Sequence, residues 1–375
     1  MRAVGPDGKP LSSKQGIPGK EGLLCINAVD GKIIWRHEYD CLYKVSYPSG
    51  PRTTPVVHEN RVYALGAMGD LFCLQADTGK PVWNKNLVTE YKVHPTPVWG
   101  YAAHLLLDGE LLYSLVGGEG SAVVAFDKKT GKEVWKALTT EEICYSPPMI
   151  FEAGGKRQLI IWHSTSVNGL DPATGRLYWT VPYPANSKPQ RPAVNIVTLR
   201  REGQLLFLSS TYHGPMMLQF AADNPAVSVL WRKEPKNPSK PQGLCCLMPS
   251  PVLKDGYIYG VSFDGALMCL EAATGRELWK NYDLMQGKST DCGTAFLVPQ
   301  GDRYVIFTEK GDLVLATMTP KGYKEISRAH VIEPIESARG RKVVWSHPAF
   351  ALQSAFIRNN QEIVRVDMAA KNGQP

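Results

Sequence analysis

The ten residues "LEAATGRELW" (270 to 279) decide how this chain reads, because near copies stand at "LQADTGKPVW" (74 to 83), "FDKKTGKEVW" (126 to 135) and "LDPATGRLYW" (170 to 179). In each, a glycine supplies the positive φ that closes a tight hairpin, and the polar residues before it bond their own backbone. A tryptophan follows four residues later, on the outgoing strand. There it is large enough to bury on the order of 200 Å² against a neighbouring sheet.

Aligning on the residue four after the turn glycine gives Trp35, Trp83, Trp135, Trp179, Trp279 and, with a weaker turn, Ile326 after Gly322. Trp231 keeps the phase, although "AADNPAVSV" replaces the turn. One unit therefore recurs about every 48 residues, a period that sets the architecture. Between tryptophans, runs such as "TPVVH" (54 to 58), "RVYALG" (61 to 66) and "DLFCLQA" (70 to 76) alternate with Gly, Asp and Asn turns. These are four strands joined by hairpins, and residues 250 to 279 repeat the scheme with D-G turns at 255 and 264. Four-stranded antiparallel units with no helical period between them predict an all-β chain, a β-propeller. Cys25, Cys73 and Cys269 share one third-strand position with Ala125, so they read as small core residues rather than disulfide partners or metal ligands.

The repeated T-G-[K/R]-x-x-W unit resembles the tryptophan-docking repeat of the PQQ-binding-like β-propellers, named for pyrroloquinoline quinone. The likeness runs over nearly the whole chain and includes "VVAFDKKTGKEVWKA", "RQLIIWHSTSVNGLDPATG", "GTAFLVPQGDRYVIFTEKGDLVLA" and "GRKVVWSHPAFA". It implies a bacterial, exported or periplasmic protein. Relatives with this repeat include both quinoprotein dehydrogenases and non-catalytic assembly factors, so the repeat speaks for fold more than for function.

Counting units predicts a single domain over 1–375, an eight-bladed ring with an incomplete first blade. That blade spans 1–35, with its first two strands absent or reduced to a stub at residues 2 to 4. Six full units end at Trp83, Trp135, Trp179, Trp231, Trp279 and Ile326, and a last blade at 346–368 offers three strands. The expectation is a ring entered partway, with a signal peptide and a closing strand upstream of this sequence.

Composition bounds the rest. The 42 Lys and Arg against 35 Asp and Glu give a net charge of +7 without like-charge runs, which does not point to nucleic acid. No apolar stretch is long enough for a membrane span, and the first residues lack a signal-type apolar core. The eight cysteines contain no C-x-x-C, and no G-x-S-x-G appears.

In a propeller, the links into first strands and the second-to-third-strand loops emerge on one face. The links carry Arg52, Trp99, Tyr145, Asn195, Asp291, Trp345 and His347; the loops carry Glu119, His163, Tyr212 and His213. This is the candidate ligand face, concave and rich in aromatic and charged groups, whereas the opposite face holds D-G and T-G-K turns. Its ligand is expected to be a protein or a small polar or carbohydrate molecule, with Trp99 and Trp345 as stacking surfaces, and the chain is expected to be a monomer.

Two functional classes follow. The first is a non-catalytic binding or assembly platform in the cell envelope, preferred because no catalytic set or metal ligand set is legible. The second, implied by the resemblance, is a quinone-dependent alcohol or sugar dehydrogenase using PQQ with Ca²⁺. For that class, Asp291 is the candidate base and Cys245-Cys246 the candidate vicinal disulfide against the quinone.

Overall fold

The computed structural model describes residues 16–45, 50–235 and 243–369. The expected stub at residues 2 to 4 lies outside them. The described chain is built of antiparallel strands, with one helical turn at Leu87–Glu90 and a 3-10 turn at Asp283–Met285. The chain falls into two compact units, residues 1–196 with 221–226, and residues 197–220 with 227–375.

The first unit begins with a two-stranded hairpin, Ile17–Ile26 against Ile33–Tyr43. Three four-stranded sheets follow: blade 1 (56–86), blade 2 (106–137) and blade 3 (149–182), each a simple meander in chain order. The second unit holds four-stranded blade 4 (200–232), blade 5 (252–281) and blade 6 (295–330), then three-stranded blade 7 (349–367). A short extra hairpin, Glu336–Ala338 with Arg341–Val343, precedes blade 7.

Among the described residues the count is therefore seven blades, six four-stranded and one three-stranded, and the expected eight is corrected. In place of an incomplete first blade stands the hairpin alone. Its strands pair with each other from Ile17↔Tyr43 to Ile26↔Ile33, and among the described residues no other strand joins them.

The repeated sentence sets the register. Cys25, Cys73, Ala125, Gly169, Met217 and Cys269 on third strands lie opposite Trp35, Trp83, Trp135, Trp179, Trp231 and Trp279 on fourth strands. The turns work as polar clasps: Asp127 accepts from the backbone N–H of Lys129 and Thr130 and from the Thr130 hydroxyl, while Gly131 donates back to the Asp127 carbonyl.

Each tryptophan then reaches into the following sheet. The Trp35, Trp83 and Trp135 indoles donate to the carbonyls of Ala76, Lys128 and Pro172, and those of Trp231 and Trp279 to Ala272 and Thr319. The acceptor always stands three residues before the turn glycine of that sheet. An aromatic residue on the second strand supports each ring within a blade, as Tyr63 does Trp83, Tyr113 does Trp135, Phe207 does Trp231 and Tyr259 does Trp279.

Trp179 departs from this pattern. Its indole donates to Gln158 Oε1 in its own blade at 2.7 Å and lies over Gly169, where a Cβ would come within 2.2 Å of the ring. Burial also differs from expectation. Trp135 and Trp179 are buried, whereas Trp83 and Trp279 are half-buried.

Candidate functional site

In the first unit the structure joins five of the sequence-selected residues head to tail. The Arg52 guanidinium donates to the Trp99 carbonyl. The Trp99 ring meets Tyr145 edge-on at 5.6 Å, and its backbone N–H reaches the Tyr145 hydroxyl at 3.4 Å. Tyr145 N–H donates to the Asn195 carbonyl at 3.0 Å, and the Asn195 amide donates to the His163 carbonyl at 3.1 Å. The link into each blade thus grips the next link, and the four links are held as one polar and aromatic surface. Glu119 stands exposed and apart from this chain.

His163 is buried, its Nε2 3.1 Å from the Ser166 hydroxyl, and burial pushes its pKa down to about 4. It is a neutral, structural imidazole rather than a base tuned near neutrality. Glu142, which the sequence reading passed over, accepts from Ala193 N–H through Oε2 at 3.0 Å. Its Oε1 is buried with no hydrogen-bond partner among the described residues, and burial raises its pKa. Nothing in the repeat marks Glu142, because links are where the repeat is weakest.

The His163 shift sets a pH dependence. The unfolded chain takes a proton near 6.5, while the folded one resists until about 4. Stability from the neutral ring is therefore whole above 6.5 and is lost as pH falls towards 4, by on the order of 3 kcal/mol. Urea unfolding of a His163→Gln protein at a series of pH values should show a shallower acid decline than wild type. Parallel declines would remove His163 as the cause.

In the second unit the selected residues fall into separate groups. Tyr212 is half-buried and His213 buried on the second-to-third-strand loop of blade 4. Cys245 and Cys246 are buried, and no disulfide joins them. Their backbone explains the burial: Cys245 N–H donates to Ser262 Oγ and Cys246 N–H to Ser209 Oγ, and Thr211 Oγ1 donates to the Cys246 carbonyl. The pair clamps the link between blades 4 and 5. Burial pushes the Cys246 thiol up to about 12, so a thiol reagent at neutral pH should leave it unmodified until the protein unfolds. Peptide mapping after alkylation reads this directly, and rapid native labelling of Cys246 would contradict the clamp.

Asp291 is exposed, with Arg339 at 3.8 Å. His347 packs against Phe296 with ring centroids 3.8 Å apart and the planes tilted by 41°. The Trp345 indole donates to Glu309, which also receives a two-pronged grip from Arg341 at 2.7 and 2.9 Å. Neither Glu309 nor Arg341 was legible as a pair in sequence.

The residues do not fit PQQ with Ca²⁺. A Ca²⁺ site needs several converging oxygen ligands, yet Asp291 faces a cation and the cysteine pair is unbridged. Among the described residues no group of three or more His, Cys, Asp or Glu side chains is placed to hold a metal, and no helix is long and apolar enough to cross a membrane. On the opposite, turn-bearing face, a groove runs between blades 2 and 3, lined by Asp108, Tyr113, Arg157, Asp171 and Tyr178. The Asp108–Arg157 ion pair spans it at 2.7 Å.

Comparison with known proteins adds four findings. The profile of the family described as outer membrane protein assembly factor BamB matches residues 19–281. An outer membrane protein assembly factor BamB from Moranella endobia (strain PCIT) is 24% identical over 277 residues, covering 69% of this chain and 65% of its own length, so the chain spans less than two thirds of that relative. A quinoprotein alcohol dehydrogenase PedE from Pseudomonas putida is 32% identical over 126 residues, which are 33% of this chain and 18% of the enzyme. Among solved structures, BamB from Moraxella catarrhalis matches with a TM-score of 0.61 at 15% identity, over 90% of this chain and 88% of its own, and shows the β-propeller fold.

Proposed function

Because this chain belongs to the outer membrane protein assembly factor BamB family of PQQ-like repeat propellers, we propose that it is a non-catalytic platform that binds a protein partner in the bacterial cell envelope during outer-membrane protein assembly. The observation that carries this reading is the head-to-tail fastening of Arg52, Trp99, Tyr145 and Asn195. It holds several loops in one rigid arrangement, and a pre-organised surface binds without the cost of ordering loops at the moment of contact. A periplasmic or otherwise exported location goes with this reading.

The test is complementation. The chain, exported into a bacterium lacking its own assembly factor, should restore outer-membrane protein levels. A double Arg52→Ala, Tyr145→Ala variant with native circular dichroism should restore them poorly. A folded, exported wild-type chain that restores nothing, or a variant as active as wild type, counts against the platform.

A second reading, a quinone-dependent alcohol or sugar dehydrogenase, draws on the 126-residue likeness to PedE. Titration with PQQ and Ca²⁺, followed by absorbance and by a dye-linked alcohol or glucose assay, separates the two. The platform reading expects no saturable spectral change and no turnover.

A further inference from the structure

Arg200 breaks a rule that the other four-stranded blades keep. In blades 1, 2, 3 and 5 the row of cross-strand partners that starts at the tryptophan ends, on the first strand, at Val56, Leu106, Met149 and Val252. The matching row of blade 6 ends at Val298. In blade 4 it runs from Trp231 through Met217 and Phe207 to Arg200. A guanidinium therefore stands where each of the other rows has an apolar side chain.

Its surroundings leave the charge uncompensated. Arg200 is half-buried, and its Nε donates to the Pro251 carbonyl at 2.8 Å, in the link into blade 5. Nη1 and Nη2 donate to no group among the described residues, and both stay reachable from solvent. Burial pushes the guanidinium's pKa down, and no charged neighbour offsets it. Glu202, two residues along the same face of the strand, does not serve, because its two oxygens accept from the backbone N–H of Asp255 and Gly256 at 2.6 and 2.9 Å. An arginine nonetheless stays protonated in a protein, and a charge drawn partly out of water is costly unless it is paired.

We propose that Arg200 is an anion-recognition residue whose open Nη1–Nη2 edge receives one carboxylate of an organic acid, at the first-strand edge of blades 4 and 5. The planar fork of a guanidinium matches the two oxygens of a carboxylate through parallel N–H···O bonds. One positive charge without a second cation beside it suits a monoanion better than a phosphate dianion. The bond from Nε to Pro251 fixes the fork before the ligand arrives, so little side-chain freedom is lost on binding. Arg200, Phe207 and Pro251 all belong to the second unit, and none is part of the loop chain around Tyr145. The site therefore stands or falls separately from the platform reading.

The experiment uses the full chain labelled with ¹⁵N-arginine, and nuclear magnetic resonance follows each Nε–H signal as sodium acetate replaces sodium chloride at constant ionic strength. Arg200→Leu and Arg200→Lys identify the Arg200 signal by its loss. That signal should move saturably, with a midpoint about tenfold lower for acetate than for chloride or inorganic phosphate, while the signal of the exposed Arg276 does not follow. Arg200→Leu restores the apolar residue of the other blades, so it should fold. Acetate should raise the melting temperature of the wild type relative to chloride and leave that of Arg200→Leu unmoved. A signal that stays in place or drifts without saturating, an equal response to chloride, or a tighter midpoint for phosphate overturns the proposal. So does an acetate response of the melting temperature that survives in Arg200→Leu. The titration is decisive even where Arg200→Leu fails to fold, because Arg200→Lys also assigns the signal.

Discussion

Replacing Trp135 by alanine should lower the unfolding free energy by about 3 to 5 kcal/mol, the range for deleting a buried tryptophan. The ring is 8% exposed, packs against Tyr113, lies on Gly175 of the following sheet and donates to the Pro172 carbonyl at 3.0 Å. Its removal leaves a void on both sides of one contact, which a rigid pair of sheets cannot close. Trp279→Ala should cost less, about 2 kcal/mol, because that ring is already partly exposed. Gly175→Val attacks the same contact from below, through a Cβ 2.5 Å from the ring and a φ of +72°. Urea denaturation of the three variants checks the order, and a Trp135→Ala protein with the wild-type midpoint would refute the docking argument.

Arg341→Met should cost a similar amount, about 3 to 5 kcal/mol, by stranding a charge. Glu309 is 1% exposed, and its carboxylate is held by Thr294 N–H, Trp345 Nε1 and both prongs of Arg341. With the guanidinium gone, two neutral donors must carry a buried carboxylate alone. The exposed pair Arg276–Glu271 is the control, and Arg276→Met should leave stability nearly unchanged. Equal losses in the two variants, measured at neutral pH, would show that the buried pair contributes no more than a surface one.

What the sequence made legible is what repeats. Five of the six four-stranded sheets carry a tryptophan where the phase places it, at Trp83, Trp135, Trp179, Trp231 and Trp279, whereas in the sixth Ser327 takes the paired position and Ile326 falls in the bulge. The shared position of Cys25, Cys73, Ala125 and Cys269 is a register fact, each lying opposite a tryptophan. Where a repeat breaks, the reading weakened. "AADNPA" takes the place of the turn glycine in blade 4, and Trp179, the tryptophan of blade 3, turns back on Gln158. The eighth blade was inferred from strands that the period demanded, whereas among the described residues the hairpin pairs only with itself.

The candidate loops were legible as positions but not as partners. Arg52 and Trp99 are 47 residues apart, as their blades dictate, so their neighbourhood follows from the period. Arg341, which grips Glu309, stands on the irregular hairpin at 336–343, which no other unit contains among the described residues. No periodic argument reaches a contact that occurs once. Glu142 was missed for the same reason.

The handover from tryptophan to the following glycine has a consequence for how such chains change length over generations. Blades 1, 2 and 5 each bring both a plug and a socket, so duplicating or deleting such a unit of about 48 residues reproduces a junction the chain already knows how to make. An insertion or loss out of step with that period would leave a plug without a socket, or a glycine facing water. Copy number is thus free to drift in whole steps, and lineages built on this sentence should differ by entire units far more often than by fractions of one.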